Sequence, residues 1–521
     1  MDNTFILGLI VVAYLLLIAF FGYLGYRRTT SSNDYLVGGR EMNPIVMALS
    51  YGAAFISASA IVGFGGFSAA FGMGIQWLCF LNMFVGVVIA FIFFGLRTRR
   101  LGVKLNVGTF PQLLGKFYRS RSIQVFVAAV IFLGMPLYAA VVMKGGAVFI
   151  EQIFQIDFNI ALLIFTLVVS AYVLAGGIKG VMYTDAMQAM IMFSCMLFLL
   201  YGFYKVIGMG FVEANEELTK IAPLVPEKLQ AVGHQGWTKM PVAGSPQWYS
   251  LVTSLILGVG LGCLAQPQLV VRFMTVKSSK QLNRGVLVGC LFILITVGSI
   301  YHVGSLSNLF FLKTEGAVAT EVVKDIDKII PYFIDKAMPN WFAAVFMLCI
   351  LSASMSTLSS QFHTMGAAAG SDIYSTYNPR SRGKLTNVIR LGILFAILVS
   401  YIICYMLPND IIARGTAMFM GICASAFLPA YFCALYWKRV TRQGAYASMW
   451  VGTLASLFAL IFLHEKEAAA LGICKAFFGK DVLIETYPFP VVDPILFALP
   501  LSILAIVVVS LNTRSKLGVS R

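Results

Sequence analysis

The sequence predicts an all-α polytopic membrane protein with about thirteen transmembrane helices. Three observations carry this prediction. Only 12% of the 521 residues are charged and 59% are hydrophobic, whereas soluble domains carry about 25% charged residues. Apolar runs long enough for a membrane helix recur along the whole chain, separated by short or polar segments. The 38 Lys and Arg, against 22 Asp and Glu, give a net charge of +16. All but Lys144 fall in the separating segments or at the ends of the runs, as orientation in a bilayer requires, so no nucleic-acid partner is expected.

In chain order, the first run, 4–24, has Asp2 before it and Arg27 and Arg28 after it. A cleaved signal peptide carries its positive charge ahead of the apolar stretch, so this run reads as a retained helix with its N-terminus outside. The second, 44–71, contains "ALSYGAAFISASAIVGFGGFSAAFG", dense in glycine and small residues. Runs at 75–96, 122–150, 159–176 and 183–207 follow, with Lys144 inside the run 122–150. A polar loop, 208–246, leads to 247–271, "SLILGVGLGCLAQPQLVVRFM", where Pro267 interrupts a glycine-rich stretch. Runs at 285–311, 340–369, 387–407, 411–437, 444–463 and 491–511 complete the thirteen. This count puts the C-terminus inside. It places 25 Lys and Arg in inside loops and 12 in outside segments, most of those in the long loops 208–246, 312–339 and 464–490. Eight of the nine cysteines lie in apolar runs and none forms a CxxC pair. They read as small packing residues, and Cys474 alone falls in an outside loop.

Two of the runs are poor continuous helices. Glycine lowers helix stability and an interior proline removes a backbone hydrogen bond. Tight packing of small residues explains either run alone, but the positions are informative. Runs two to six and seven to eleven form two sets of five, and an interrupted helix opens each set. Five is odd, so the second set enters the membrane from the opposite side. Interrupted segments at matching places in inverted halves point to a transport site near the midplane. The organisation expected is an N-terminal helix and loop (1–43), a first repeat (44–210), an outside loop (211–246), a second repeat (247–440) and two C-terminal helices with a tail (441–521).

Within the ninth run, "ILSASMSTLSSQFHTMGAAAGSDIY" is crowded with hydroxyls. Ala353, Ser356 and Thr357 share one helical face. If the second run opens just after Ile56, the carbonyls of Ala53 and Ile56 lose their N–H partners at Ser57 and Ala60. Five neutral oxygens from two helices then converge, a set that suits a monovalent cation. The alternative is that these hydroxyls bond back to carbonyls one turn earlier or glue helices together. For a solute, the candidate cavity-facing groups are Ser57, Ser59, Gln76, Trp77, Asn82, Lys144 and Gln266. Lys144 is the sole cation at mid-membrane depth, where a charge costs at least about 2.5 kcal/mol. It either binds a substrate carboxylate, pairs with a carboxylate such as Asp185, or snorkels. His363 reads as a packed histidine.

The chain resembles the sodium/solute symporters, a family that includes sodium/proline, sodium/pantothenate, sodium/monocarboxylate and sodium/sugar carriers. The motifs that carry the resemblance are "MSTLSSQ" (355–361) followed by "SDIY", "GGIKGVMYTDAMQ" (176–188), "AQPQLVVRFM" (265–274) and "LYWKRVTRQGA" (435–445). Their order and spacing match over roughly residues 34–445. The resemblance implies a LeuT-type core of five plus five inverted helices. It implies sodium coordination by the carbonyls of Ala53, Ile56 and Ala353 and the hydroxyls of Ser356 and Thr357. It also links Asp185 to sodium binding or exit, where the competing reading is a helix N-cap. Phe55 stands where the sodium/proline relatives carry an Asp.

The expected function is sodium-coupled uptake of a small organic solute bearing a carboxylate, a monocarboxylate, amino acid or pantothenate-like molecule. It proceeds by alternating access in the plasma membrane, the inner membrane in a bacterium, with a monomer sufficing. A sodium-independent or proton-coupled permease and a sensor of the same fold are the alternatives. A channel has no need of two broken helices around an occluded site. A sensor would carry a further domain after the thirteenth run, where ten residues remain. An enzyme would need a clustered His/Cys/Glu motif or paired carboxylates, and the sequence offers none.

Overall fold

The computed structural model describes residues 3–27, 32–175, 178–378, 385–408 and 411–514. Asp2, Arg28, Gly176 and Gly177, named above, and Arg380, Arg382, Lys384, Lys516 and Arg521, counted among the 25 inside charges, lie outside the described residues. Among the described residues, ten helices are long and apolar enough to cross a membrane. One bent pair and two shorter apolar helices bring the count to the thirteen expected.

These are α1 (Asn3–Arg27), α2 (Pro44–Phe55, then Ser59–Phe71), α3 (Met73–Lys104), α4 (Arg121–Phe154), α5 (Phe158–Ala175), α6 (Ile178–Ile207) and α7 (Pro246–Ala265, then Pro267–Arg272). There follow α8 (Ser279–Glu315), α9 (Asn340–Tyr377), α10 (Leu385–Met406), α11 (Ile412–Tyr436), α12 (Arg442–Phe462) and α13 (Ile495–Asn512).

Local chemistry sets their ends. Asn43 caps α2, its Oδ1 accepting from the Ile45 N–H at 2.8 Å, with Pro44 at the first helical position, where its missing N–H costs nothing. Ser120 and Thr441 cap α4 and α12 in the same way. Between α2 and α3 the chain turns at Gly72, whose φ is 91°. A β-carbon there would also meet the Trp237 carbonyl at 2.5 Å, so only glycine fits.

The bundle is graded from centre to rim. The most apolar window of α9 is 83% buried and that of α11 78%, against 28% for α13. The ninth helix is therefore an interior element and its hydroxyls face protein, not lipid. Glycines let backbones approach α11 closely. A β-carbon at Gly262 of α7 would lie 2.5 Å from the Met420 carbonyl oxygen, and one at Gly452 of α12 would lie 2.0 Å from that of Ser425. Gly63 of α2 meets Ile412 and Ala413 in the same manner, and α11's own Gly415 sits against Val141 of α4.

One face of the bundle gathers the basic segments that follow α3 and α7, where the Arg99 Nε donates to the Val276 carbonyl at 2.8 Å. The opposite face gathers the long loops. There Tyr487 bonds the Gly244 carbonyl, and segments near 228, 326, 413, 465 and 491 share one cavity.

Candidate functional site

The two interruptions lie where glycine, small residues and proline placed them. In α2 the helix ends at Ile56, an extended residue (φ −87°, ψ 109°), and the second half departs at 58°. The Ala60 N–H turns to the Ser57 carbonyl at 3.0 Å instead of continuing to Ile56. In α7 the break falls at Gln266 (φ −67°, ψ 117°), and Pro267 starts the short second helix.

Against the first break lies the hydroxyl face of α9. The Ser356 Oγ is 2.8 Å from the Ala53 carbonyl oxygen, 2.7 Å from that of Ser352 and 3.2 Å from that of Ala353. The Thr357 Oγ1 is 3.3 Å from the carbonyls of Ala53 and Ala54 and 3.5 Å from that of Ile56. All of these residues are buried. Two hydroxyl protons thus face five carbonyl oxygens. Each hydroxyl can donate to one acceptor at a time, so the cluster holds more acceptors than donors. The back-bonding reading explains the Ser356–Ser352 contact. It does not account for carbonyls of another helix pointing at the same two hydroxyls. Sequence reasoning named Ala53, Ile56, Ala353, Ser356 and Thr357, and the fold brings these five together.

One turn along both helices, toward the basic face, sits a buried ion pair. The Arg272 Nη2 donates to the Asp185 Oδ2 at 2.7 Å and to the Ser360 Oγ at 2.5 Å. The Arg272 Nε donates to the Ser50 Oγ at 3.0 Å, and Ser50 in turn donates to Asp185 at 2.8 Å. Asp185 is eight residues into α6 and is no N-cap. Its carboxylate is turned to Arg272, a turn away from the oxygen cluster. Arg272 directly follows the apolar run 247–271, where it falls among the 25 inside charges; it is 1% exposed.

Around the second break the buried polar groups are neutral. Gln266 Nε2 there, Ser59 Oγ beside the first break and Asn82 Oδ1 have no hydrogen-bond partner within the protein. Tyr138 of α4 approaches Ser57 and stacks on Phe419 of α11 at 5.8 Å, while Cys423, one turn further along α11, approaches Gln266. This chain of neighbours joins one break to the other. Tyr138 was not singled out from sequence, because a tyrosine inside an apolar run carries no local signal.

Three expected cavity residues are placed elsewhere. Trp77 is 56% exposed on the outer surface of α3, edge-on to Phe80 and in line with Phe84. It belongs to the stripe that faces lipid. Gln76 donates to the Gly298 carbonyl at 3.2 Å and ties α3 to α8. The Lys144 ammonium donates to the carbonyls of Leu407 and Pro408 at 3.1 and 2.6 Å. A cation there caps the C-terminal end of α10, which accounts for a mid-helix lysine without a ligand. His363 packs against Tyr35, ring centroids 5.3 Å apart.

A family model described as the sodium:solute symporter family matches residues 35–452. The osmoregulated proline transporter of Bacillus subtilis (strain 168) is 29% identical over 474 residues, 90% of each chain. The sodium/pantothenate symporter of Haemophilus influenzae is 27% identical over 439 residues, 83% of this chain and 85% of that one. Among solved structures, a substrate-bound outward-open Na+-coupled sialic acid symporter superposes with a TM-score of 0.75 at 16% identity, covering 98% of both chains. A nucleobase-cation-symport-1 family transporter superposes with a TM-score of 0.54 at 12% identity, covering 94% of this chain and 98% of that one. These two likenesses concern the fold, which is the LeuT-type arrangement of five plus five helices.

Proposed function

Because the chain belongs to the sodium:solute symporter family, we propose that it couples the inward movement of sodium to uptake of a small solute bearing a carboxylate. The observation that carries the reading is the acceptor surplus between α2 and α9. A dehydrated monovalent cation supplies what two hydroxyls cannot, a positive centre for several neutral oxygens at once. Ser356 and Thr357 provide side-chain oxygens, and the carbonyls of Ala53, Ile56 and Ala353 the remainder. Unwinding at Ile56 frees two of these carbonyls and is tolerated at membrane depth because they line a site. The ligands come from both repeats, so the bound ion favours the conformation in which α2 and α9 approach. Sodium and solute then raise each other's affinity by the same factor.

The solute's place is beside the two breaks, among Ser57, Ser59, Tyr138 and Gln266. Two relatives are named for proline and pantothenate, and both molecules carry a carboxylate. The groups around the breaks are neutral and Lys144 is engaged elsewhere. A carboxylate held there draws its compensating charge from the co-bound ion, since an unpaired buried charge is costly, and its binding is therefore sodium-dependent. In a thermal-shift screen of purified protein, L-proline, pantothenate and short monocarboxylates are the compounds to test, with glucose as control. At 100 times its Kd, a true ligand adds about 2.7 kcal/mol of stability. The expected result is such a shift for at least one carboxylate in sodium and none in choline. A shift of equal size in both salts, or a shift with glucose alone, removes the reading.

The basic face is the cytoplasmic one on this reading, and the long loops are external. Cys474 is buried in the short helix Ile473–Phe478 and is no reporter. Single cysteines at the exposed Lys475 and Lys104 are. An impermeant thiol reagent on intact cells is expected to label Lys475→Cys and leave Lys104→Cys unmodified; the reverse pattern inverts the topology.

A further inference from the structure

We propose that the long-loop face carries a second, sodium-independent station for a carboxylate, organised on Arg414. This rests on the transport reading for its ligand class but concerns a different site. The cavity there is about 480 Å3, a volume within the range of small-molecule sites. Its apolar wall includes Phe67 and Phe71 from the outer half of α2 and Met418 of α11. The opposite wall comes from Leu460 of α12 and the segment between α12 and α13, which lie outside the two five-helix sets.

The charge arrangement favours an incoming anion. The Arg414 Nη1 donates to the Glu467 Oε1 at 3.0 Å, and the other oxygen of Glu467 pairs with His464. Burial alone would lower the His464 pKa. The hydrogen bond and charge of Glu467 outweigh it and hold the imidazole above its ordinary range. One carboxylate is therefore shared between a guanidinium and an imidazole whose protonated form the contact favours. Glu467 can lean on His464 while Arg414 turns to a second carboxylate, so exchange strands neither charge. The guanidinium fork matches a carboxylate in shape as well as sign. Of the other acids that line the cavity, Glu465 is exposed, and Asp327 and Asp493 are already committed. Asp327 accepts from the Ile412 N–H at the start of α11, and Asp493 from the Ile495 N–H at the start of α13, places where a helix N-terminus favours an acid.

The test uses the full-length protein in sodium-free choline buffer, with a Met418→Cys substitution on the cavity wall as reporter. Acetate, L-proline and pantothenate serve as probes, and alkylation of the cysteine is timed. At least one probe is expected to slow labelling without sodium. Arg414→Gln should raise its half-protecting concentration roughly tenfold or more, the scale of one charged hydrogen bond. Glu467→Gln, which weakens the internal competitor, should lower it. Failure of all three probes to protect, or protection indifferent to both substitutions, overturns the station. Should Arg414→Gln fail to fold, the opposite-signed Glu467→Gln result decides. Sodium-dependent thermal stabilisation, measured on the same samples, reports on the midplane site alone, so the two proposals fail separately.

Discussion

Replacing Thr357 by alanine is expected to raise the sodium concentration for half-maximal uptake by roughly 10- to 100-fold, while protein remains in the membrane. The substitution removes one of the two side-chain oxygens in the cluster and leaves the carbonyls of Ala53, Ala54 and Ile56 facing a methyl group. A contact between a charge and a polar group contributes about 1.5–3 kcal/mol, and each 1.4 kcal/mol is a factor of ten. Thr357→Ser keeps the oxygen and should remain within a few-fold of the unaltered protein. Ser356→Ala should resemble Thr357→Ala, because its hydroxyl reaches the same Ala53 carbonyl at 2.8 Å. The measurement is initial uptake into proteoliposomes against external sodium. An unchanged sodium curve in both alanine variants, or uptake in the unaltered protein that ignores sodium, would end the assignment.

The largest effect on stability is expected at the Asp185–Arg272 pair. Both side chains are almost fully buried, and Ser50 and Ser360 add hydrogen bonds to them. Removing one member leaves the other as an uncompensated charge in a low-dielectric interior, which costs about 3–5 kcal/mol. Arg272→Gln and Asp185→Asn should each lower the Tm sharply and reduce the amount of protein in the membrane. The double substitution removes both charges and should be milder than the sum of the two, a coupling that a double-mutant cycle measures directly. Additive losses, or an Arg272→Gln protein as stable as the parent, would mean that the pair is not the anchor it is taken to be. This outcome is independent of sodium, so it separates the scaffold from the site built on it.

How much of this was legible follows from how far each signal reaches along the chain. The thirteen helices were readable because a membrane span is a local property of about 20 consecutive residues. The breaks in α2 and α7 were readable because glycine and proline act on their own backbone. The hydroxyl face of α9 was readable because Ala353, Ser356 and Thr357 lie within a single turn. Apart from the meeting of α2 with α9, what failed were the statements about long-range partners. Arg272 stands at the end of an apolar run and looks like a loop charge, yet its carboxylate is 87 residues away. Lys144 looked like a ligand because its partners, 263 and 264 residues away, are backbone carbonyls, which no side-chain pattern advertises. Trp77 follows a turn whose rotation decides whether it meets cavity or lipid, and that rotation is fixed by packing against α8. Tyr138 gains its interest only from Ser57 and Phe419 beside it.

The glycine contacts along α11 have a mechanical consequence. Backbone meets backbone at Gly262 and Gly452 with no space for a methyl group, and Gly63 and Gly415 close the remaining sides. Interiors this tightly packed have low compressibility and transmit strain. A helix gripped at four points cannot slide along its own axis without lifting off α2, α4, α7 and α12 together. Force applied near Arg414 therefore reaches Cys423, beside the second break, as a displacement of a stiff rod, with no relay of side-chain rotations between them.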